Sequence, residues 1–431
     1  MKKYSLLCVS VLALFILACE DKTETEIYPD TAAKVSSHYV SYERALNTAI
    51  TFVRDSLSKT RGNNLNVKNH YEYQAHKATH HLDDTIDVRF HVINFSNDAG
   101  FTLVSADDRT TPIYAYAEKG NINLEDAMKT TGFEEFVMDA IDYYIYEASH
   151  TKTYDTLFSS LIPNPAWVES LPTETIGGVT YYVYSHYETT DSVAPLLLTS
   201  WNQNDPYNYY CPEDSNATSG FNGRCPTGCA PIAIAQILAY HKYSSDLTDI
   251  NGNIIIINWN RLHNQSTFSP GDTSSRGLAK LVRKIGAVAN ASYHYYGTSV
   301  LISNENSTLE HFGYTTSGLQ TDATDYSLRL SIKANKPILA NGFRYQQSDQ
   351  TYHGHSWVID GFARREQLID YYALDYPHEL EFTFHGNCLT YYHCNWGWGG
   401  NYNAYVLNFK AYENHEYSFN NSFIYNITPD I

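Results

Sequence analysis

The sequence predicts an α+β protein with two folded domains. The chain has 431 residues, of which 43% are hydrophobic and 18% charged, a globular rather than a disordered composition. At roughly 100 to 200 residues per domain, this length fits two or three domains. Strand-like and helical segments alternate along the chain, and a stretch rich in proline and glycine divides them.

The chain is strongly acidic. Lys and Arg total 29 against 47 Asp and Glu, which gives a net charge of −18. No segment is dense enough in Lys and Arg to neutralise a run of phosphates. This balance argues against nucleic acid as a partner.

The N-terminus has the pattern of a lipoprotein export signal. A short basic start precedes the apolar run Leu6 to Ala18, which has the length of a secretory signal and is too short to span a bilayer. The run ends as in a bacterial lipobox, so we expect residues 1–18 to be removed and Cys19 to carry a lipid. Residues 19–27 would then be an acidic tether that holds the body in the cell envelope, at the outer membrane or cell surface. A plain secretory signal with an incidental cysteine is the alternative.

Residues 28–150 are predicted to form a small α+β domain. Apolar residues recur on one helical face of Tyr42 to Leu57. Val88 to Phe95 and Phe101 to Ser105 are strand-like, and the Asn-Asp-Ala-Gly turn between them is a hairpin signal. A second helix is expected from Phe133 to Glu147.

Residues 151–195 are predicted to be a linker with short strands, because prolines and glycines are frequent there. After Lys152 the chain has no Lys or Arg until Arg224, so a protease that requires a basic residue could not cut the linker anywhere beyond Lys152. Residues 196–431 hold every cysteine that follows Cys19. The chemistry is therefore expected in this last region.

Cys229 is the candidate nucleophile. It follows Gly228 and opens the nearly all-apolar segment Cys229 to His241, which predicts a helix buried on most faces with Pro231 in its first turn. A cysteine at the positive end of a helix dipole favours the thiolate, and the preceding glycine lets a substrate backbone approach closely. The alternative is a small buried core cysteine.

Four further residues could complete the chemistry of a thiol enzyme. His355 lies after a glycine at the start of an apolar strand and could take the thiol proton and return it to a leaving amine. Asn395 could orient the histidine by accepting from a ring nitrogen, and the indole of Trp396 could shield that bond. Gln203 could join the Cys229 backbone N–H in binding an oxyanion, an effect worth roughly 3 to 4 kcal/mol per donor.

The order Gln, Cys, His, Asn is that of papain-like enzymes. The segments that carry these residues together resemble the streptopain family of bacterial cysteine peptidases, and Gly100 to Tyr116 resembles the inhibitory pro-domain of that family. The resemblance implies a papain-like catalytic domain over residues 196–431 and an inhibitory pro-domain over residues 28–150. It places the activation cleavage within residues 151–195. We expect no cofactor and no metal.

The resemblance also assigns roles to residues. Cys229 takes the position of the nucleophile, His355 that of the acid and base, and Gln203 that of the oxyanion donor. Asn395 matches the amide that orients the histidine, and Trp396 matches the residue that covers it. Gly354 and Ser299 match substrate-contacting positions, although Val300-Leu301-Ile302 departs from the small residues usual there. The protein would be a self-processing zymogen that acts on proteins or peptides and is inhibited by its own pro-domain.

Two features need a separate account. Pro231, close to the nucleophile, departs from the family pattern and could shift the first helical turn and lower activity. Of the 7 cysteines, Cys8 leaves with the signal and Cys19 takes the lipid, and the odd remainder requires at least one free thiol. If Cys229 is free, three connectivities are possible, and nearness in sequence favours two pairs: Cys211 with Cys225, and Cys388 with Cys394.

Three rival interpretations remain at this point. The first is a zinc site, suggested by four potential ligands within ten residues: His385, Cys388, His393 and Cys394. Their spacing, however, fits structural zinc sites poorly. A cysteine amidase that acts on cell-wall peptides would use the same cysteine and histidine. A non-catalytic surface lipoprotein would bind its ligands with a tyrosine-rich face.

Overall fold

The computed structural model describes the chain in separate stretches. These are residues 38–56, 65–75, 86–129, 132–150, 171, 173–217, 221–346, 351–375, 377–408 and 421–431. The predicted signal peptide, the tether with Cys19 and most of the first half of the linker lie outside the described residues. The lipidation prediction therefore stays a prediction.

Helices occur throughout the described stretches. They are α1 (Tyr42–Ser56), α2 (Leu124–Ala127), α3 (Phe133–His150), α4 (Cys229–His241), α5 (Trp259–Asn264), α6 (Arg276–Val288), α7 (Ser303–His311) and α8 (Asp325–Lys333). Side-chain caps fix three of the starts: Asn123 accepts from the backbone of Asp126 in α2, Asn258 from that of Arg261 in α5, and Thr324 from that of Ser327 in α8. The helices predicted in the first domain are confirmed as α1 and α3.

The strands alternate with these helices. They are β1 (Val67–Gln74), β2 (Arg89–Phe95), β3 (Phe101–Ser105), β4 (Ile113–Ala117), β5 (Thr173–Ile176), β6 (Val179–Val193), β7 (Ser292–His294), β8 (Gly297–Ser299), β9 (Tyr314–Thr315), β10 (Ile338–Gln346), β11 (Thr351–Ala373), β12 (Leu380–Asn395), β13 (Ala404–Leu407), β14 (Ser422–Ile424) and β15 (Thr428–Pro429). The predicted hairpin is confirmed: β2 and β3 pair antiparallel, and Asn97 and Asp98 between them adopt left-handed backbone angles.

One antiparallel sheet runs through both predicted domains. Its order in the described stretches is β1-β2-β3-β4-β13-β12-β11-β10-β14, with β6 also paired to β11 and β5 paired to β6. Strand β11 is 23 residues long, so its first part pairs with β10 and its later part with β6. The two predicted domains meet where β4 pairs with β13, with Tyr116 opposite Tyr405.

The hydrophobic core also crosses this junction. The ring of Phe52 in α1 makes edge contacts with Tyr116 of β4 and Tyr391 of β12, at 5.2 and 5.3 Å between centroids. A second core surrounds α4, which lies against β11 and α6. Residues His38–Ile431 accordingly form one compact unit.

The predicted linker differs from the expectation in its second half. Instead of short strands, β6 is 15 residues long and pairs with β11 over most of its length. The turn between β5 and β6 contains Gly177 and Gly178, which explains the glycine signal. Within the described residues, no helix is both long enough and apolar enough to cross a membrane.

Candidate active site

Helix α4 places Cys229 at its first residue. The predicted buried helix is confirmed, because every residue from Ala230 to Ala239 is buried. Gly228 caps the helix with φ at 90°, and a Cβ there would lie 3.0 Å from the carbonyl oxygen of Thr298. Only glycine combines this positive φ with so close an approach. Pro231 lies in the first turn of an uninterrupted helix, so the expected shift of that turn is not seen.

The single buried amide of α4 connects the helix to the end of β12. Gln236 is fully buried, and its amide faces that of Asn395: Nε2 donates to Oδ1 at 3.4 Å, and Oε1 accepts from Nδ2 at 3.3 Å. The backbone N–H of Trp201 also donates to Gln236. Sequence reasoning did not use Gln236, although a lone amide in an apolar helix was the available signal. Buried amides are nearly always hydrogen-bonded, and this pair of hydrogen bonds holds the Asn395 side chain against helix α4, which begins at Cys229.

His355 lies in β11, where three tryptophan rings are close to its imidazole. Its ring is parallel to those of Trp357 and Trp398, with centroids 6.3 and 5.8 Å away, and Trp396 lies at 6.5 Å. Nε2 is 2.7 Å from the carbonyl oxygen of Trp396, and since a carbonyl only accepts, Nε2 carries the hydrogen. A neutral ring then has its lone pair on Nδ1, the nitrogen that could accept a proton from a thiol.

The role predicted for Asn395 is therefore wrong in one respect. The ring N–H of His355 donates to the carbonyl oxygen of Trp396, not to the Asn395 amide. The Asn395 amide is occupied elsewhere, because it donates to the carbonyl oxygen of Thr199 at 2.7 Å and accepts from the backbone of Gly397. Asn395 thus fixes the end of β12, from which the neighbouring carbonyl reaches the histidine.

Cys229 and His355 come together through Ser356. Ser356, which directly follows His355 in β11, lies close to the Cys229 thiol and lowers the pKa of that thiol, against the larger raising by burial. Among the described residues, no hydrogen bond joins the thiol to the imidazole itself. Cys229 keeps some accessible surface, but the surrounding protein raises the pKa of its thiol, and burial lowers the pKa of His355. Both shifts favour the neutral thiol and the neutral imidazole, whereas the helix dipole favours the thiolate.

The N-terminal region covers this histidine. Gly132, at φ 93°, precedes α3, and a Cβ there would lie 2.4 Å from Cδ2 of His355 and 2.9 Å from Cε3 of Trp396. The ring of Phe133 meets that of Trp396 edge-on at 6.1 Å. The charge of Glu135 raises the pKa of His355, against the larger lowering by burial. His355 is consequently only 3% exposed.

The other predicted site residues lie near the head of α4 or on β11. The carbonyl oxygen of Gln203, which is buried, accepts from the backbone of Thr227, two residues before the nucleophile. Ser299 ends the β7–β8 hairpin, whose Thr298 contacts Gly228. Gly354 is exposed and pairs with Phe343 of β10. Sequence reasoning missed Ser356, and it missed two further polar residues below the site, Glu305 and Asn341.

The disulfide expectation is corrected. All five cysteines in the described stretches are free thiols, so neither favoured disulfide is present. Cys388 and Cys394 lie on the same strand, about 20 Å apart at 3.3 Å per residue, too far for a disulfide. Cys211 and Cys225 are neighbours, but both remain thiols. The suggested zinc ligands are also dispersed along β12, where His385 bonds Glu366 and His393 bonds Asp360.

Comparison with known proteins assigns a class to this site. Residues 201–406 match the Peptidase C10 family, and residues 30–149 match the Spi protease inhibitor family. The chain is therefore a cysteine peptidase with a Peptidase C10 domain preceded by a Spi protease inhibitor-like domain.

The chain is also similar to individual proteins. Streptopain of Streptococcus pyogenes is 24% identical over 340 residues, which cover 72% of this chain and 71% of streptopain. The thiol protease/hemagglutinin PrtT of Porphyromonas gingivalis is 22% identical over 349 residues, covering 72% of this chain and 33% of PrtT. Among solved structures, a prointerpain A fragment of Prevotella intermedia aligns at 19% identity and a TM-score of 0.47, covering 82% of this chain and 98% of the fragment.

Proposed function

We propose that the chain is the zymogen of a secreted, lipid-anchored cysteine endopeptidase, with Cys229 as nucleophile and His355 as general base and acid. The assignment depends on one observation: Gly132 of the inhibitory pro-domain lies directly against the His355 ring. His355 is followed in its strand by Ser356, which lies close to the Cys229 thiol. An inhibitory domain acts by covering the groups that react. The covered imidazole and the thiol at the adjoining helix start are therefore the reacting pair.

The chemistry is acyl transfer. Nδ1 of His355 accepts the thiol proton, and Sγ of Cys229 attacks the carbonyl carbon of the peptide. The oxyanion that forms accepts from the Cys229 backbone N–H and the Gln203 side chain. The C–N bond then breaks as the imidazolium gives its proton to the amine, which leaves a thioester. Water, deprotonated by His355, hydrolyses the thioester and restores the thiol.

Latency follows from the same contacts. Burial holds thiol and imidazole neutral, and the pro-domain leaves no room for a substrate beside the imidazole. Activation then requires a cut within residues 151–195 and departure of the pro-domain. Since the sequence has no Lys or Arg between Lys152 and Arg224, we propose self-processing that selects a hydrophobic side chain two positions before the cut.

The decisive experiment is activity-based labelling with a thiol-reactive peptidyl probe. Processed wild-type protein should be labelled at Cys229, and Cys229→Ala should lose all peptidase activity and labelling and should not mature when incubated alone. Loss of the nucleophile removes covalent catalysis, so the residual rate should be lower by at least about 10³-fold.

Cys211→Ala is the matched control, because Cys211 is a buried free thiol that is not among the residues proposed to react. It should be labelled and should mature like wild type. An active Cys229→Ala protein would refute the nucleophile assignment. Activity confined to cell-wall peptides, with none on proteins, would replace the endopeptidase by a cell-wall amidase.

The lipid anchor is supported by the sequence, where an apolar run ends in Ala18-Cys19. We propose that Cys19 becomes the first residue of the exported precursor and ties it to the membrane through a lipid on its sulfur. Mass spectrometry of the N-terminal peptide tests this directly. A mass equal to that of an unmodified peptide starting at Cys19, or at any other residue, would refute it.

A further inference from the structure

A carboxylic acid is buried directly behind the candidate nucleophile. Glu305 lies in the first turn of α7 and is fully buried. It belongs to none of the motifs around Cys229 and His355. A carboxyl group with no contact with water needs polar partners, and those that Glu305 has define its state.

The partners of Glu305 are two uncharged side chains from adjacent strands. Oε1 lies 2.7 Å from the hydroxyl of Ser356 in β11, and Oε2 lies 2.7 Å from Nδ2 of Asn341 in β10. The ring of contacts is closed by the Ser356 hydroxyl, which lies 2.7 Å from Oδ1 of Asn341. Three side chains thus form three contacts of hydrogen-bond length.

Counting hydrogens in this ring fixes the protonation of Glu305. Each contact needs one hydrogen. Asn341 supplies one, whichever way its amide is turned, because one amide atom is a donor and the other an acceptor. Ser356 supplies one. The third must come from the carboxyl group of Glu305, since without it two oxygens would face each other at 2.7 Å with no hydrogen between them.

The ring is electrostatically connected to the reacting pair. Ser356 lies close enough to Cys229 to lower the pKa of its thiol, a negative charge on Cys229 raises the pKa of Glu305, and a positive charge on His355 lowers it. Burial is the largest effect, and it raises the pKa of Glu305 to about 8.

The other charged groups described on the neighbouring elements have partners of their own, including Arg276 and Arg283 of α6, which lie over the rings of Tyr209 and Tyr293. Beyond His355 lies Glu135 of α3, which acts on the imidazole. Helix α6 packs against α7, but its lysines are paired elsewhere, Lys280 with Asp249 and Lys284 with Asp246. Strand β9, which also packs against α7, contributes Tyr314, whose hydroxyl donates to the Tyr243 carbonyl oxygen.

We propose that Glu305 is a positioning residue of the peptidase site: it holds a proton, fixes the Ser356 hydroxyl beside the Cys229 thiol, and resists formation of the thiolate when it ionises. The inference rests on the proposed role of Cys229. Because Glu305 and Cys229 would both become negative in the same buried space, loss of a proton from one raises the pKa of the other. Thiolate formation is therefore held back once the pH rises past the point where Glu305 ionises.

The test is the pH dependence of Cys229 alkylation in the full-length chain with and without this carboxyl group. Glu305→Gln preserves the hydrogen count, because its amide nitrogen donates to Ser356 in place of the acid, but it cannot ionise. Iodoacetamide reacts with the thiolate, and peptide mapping separates Cys229 from the other thiols. The thiolate of Glu305→Gln should appear at lower pH, so that its alkylation near pH 8.5 is about tenfold faster, which corresponds to one pKa unit.

Glu310→Gln is the control, since Glu310 is exposed on the same helix. Its alkylation curve should match that of wild type. Superimposable curves for wild type and Glu305→Gln would overturn the inference. A Cys229→Ala protein that keeps peptidase activity would overturn the nucleophile assignment instead, a result that the alkylation curves cannot produce.

A second measurement does not depend on the folding of the variant. Infrared spectroscopy of the wild-type chain should show the C=O band of a buried protonated carboxyl group, which disappears as the pH is raised through about 8. Ser356→Ala should shift this band, because the hydroxyl that accepts from the acid is gone. Absence of such a band at neutral pH, or a band insensitive to Ser356→Ala, would refute a protonated Glu305 in this ring.

Discussion

Gly132 shows, at the scale of one residue, how the pro-domain keeps the site closed. Its backbone has a positive φ of 93°, and it lies against the imidazole with no room for a methyl group. Gly132→Ala should therefore push the pro-domain away from His355. We expect probe labelling of Cys229 in the precursor to increase about tenfold, equivalent to docking weakened by roughly 1.4 kcal/mol.

Gly120 provides the matched control for this prediction. It lies in the same domain at φ 81°, but a Cβ there would meet nothing within 4 Å. Gly120→Ala thus introduces the same kind of backbone strain without a clash at the active site. If both variants raise labelling equally, general destabilisation of the pro-domain, and not the contact with His355, is responsible.

Sequence reasoning was most successful at choosing single candidate residues. Cys229 and His355 could be chosen because their neighbours are unusual: a glycine and an apolar helix in one case, a glycine and an apolar strand in the other. Glu305, Asn341 and Ser356 have ordinary neighbours. Their function arises only because α7, β10 and β11 bring them together.

At the scale of elements, α1 is held to the catalytic region by a buried arginine. Arg365 of β11 is fully buried, and its guanidinium lies 4.4 Å from the ring centroid of Phe52 and donates to the Phe52 carbonyl oxygen at 2.9 Å. It also donates to Thr189 of β6 at 2.7 Å. One side chain therefore connects the pro-domain, the linker hairpin and the central strand.

Arg365→Met should loosen this connection. The substitution keeps an apolar stem but removes charge-assisted hydrogen bonds, which should cost about 2 kcal/mol. Hydrogen–deuterium exchange in α1 of the precursor should rise accordingly. The control is Arg329→Met in α8, which also removes a partly buried arginine with ion pairs, to Asp325 and Asp191, and should leave exchange in α1 unchanged. Unchanged exchange in α1 of the Arg365 variant would mean that packing of Phe52 alone holds the helix.

Element bounds were predictable where the local signal was strong. Helices α1, α3 and α4 and the β2–β3 hairpin were found from apolar periodicity and turn residues. The length of β6 was not, because nothing local indicates that residues 179–193 pair with β11, which lies far away in the chain. The role expected of Asn395 failed for the same reason, since its partners Thr199 and Gln236 come from distant segments.

At the scale of the whole molecule, pro-domain and catalytic region share a sheet and a core. The β4–β13 pairing and the aromatic contacts of Phe52 join the pro-domain and the sheet of the catalytic region in one hydrophobic core, and the second core, around α4, lies against the same sheet. We therefore expect the intact precursor to unfold in a single cooperative transition. Scanning calorimetry of the Cys229→Ala precursor, which should not process itself, measures this directly, and two resolved transitions would contradict it.

The sequence by itself determined the chemistry: a cysteine at a helix start, a histidine on an apolar strand, and segments that resemble a known peptidase family together with its inhibitor. These features are local, so the order of residues contains them. Tertiary structure decided which groups face one another: Gly132 against His355, the Trp396 carbonyl in place of the Asn395 amide, and a carboxyl group behind the nucleophile. Such pairings depend on burial and register between segments far apart in the chain, and no short-range pattern encodes them.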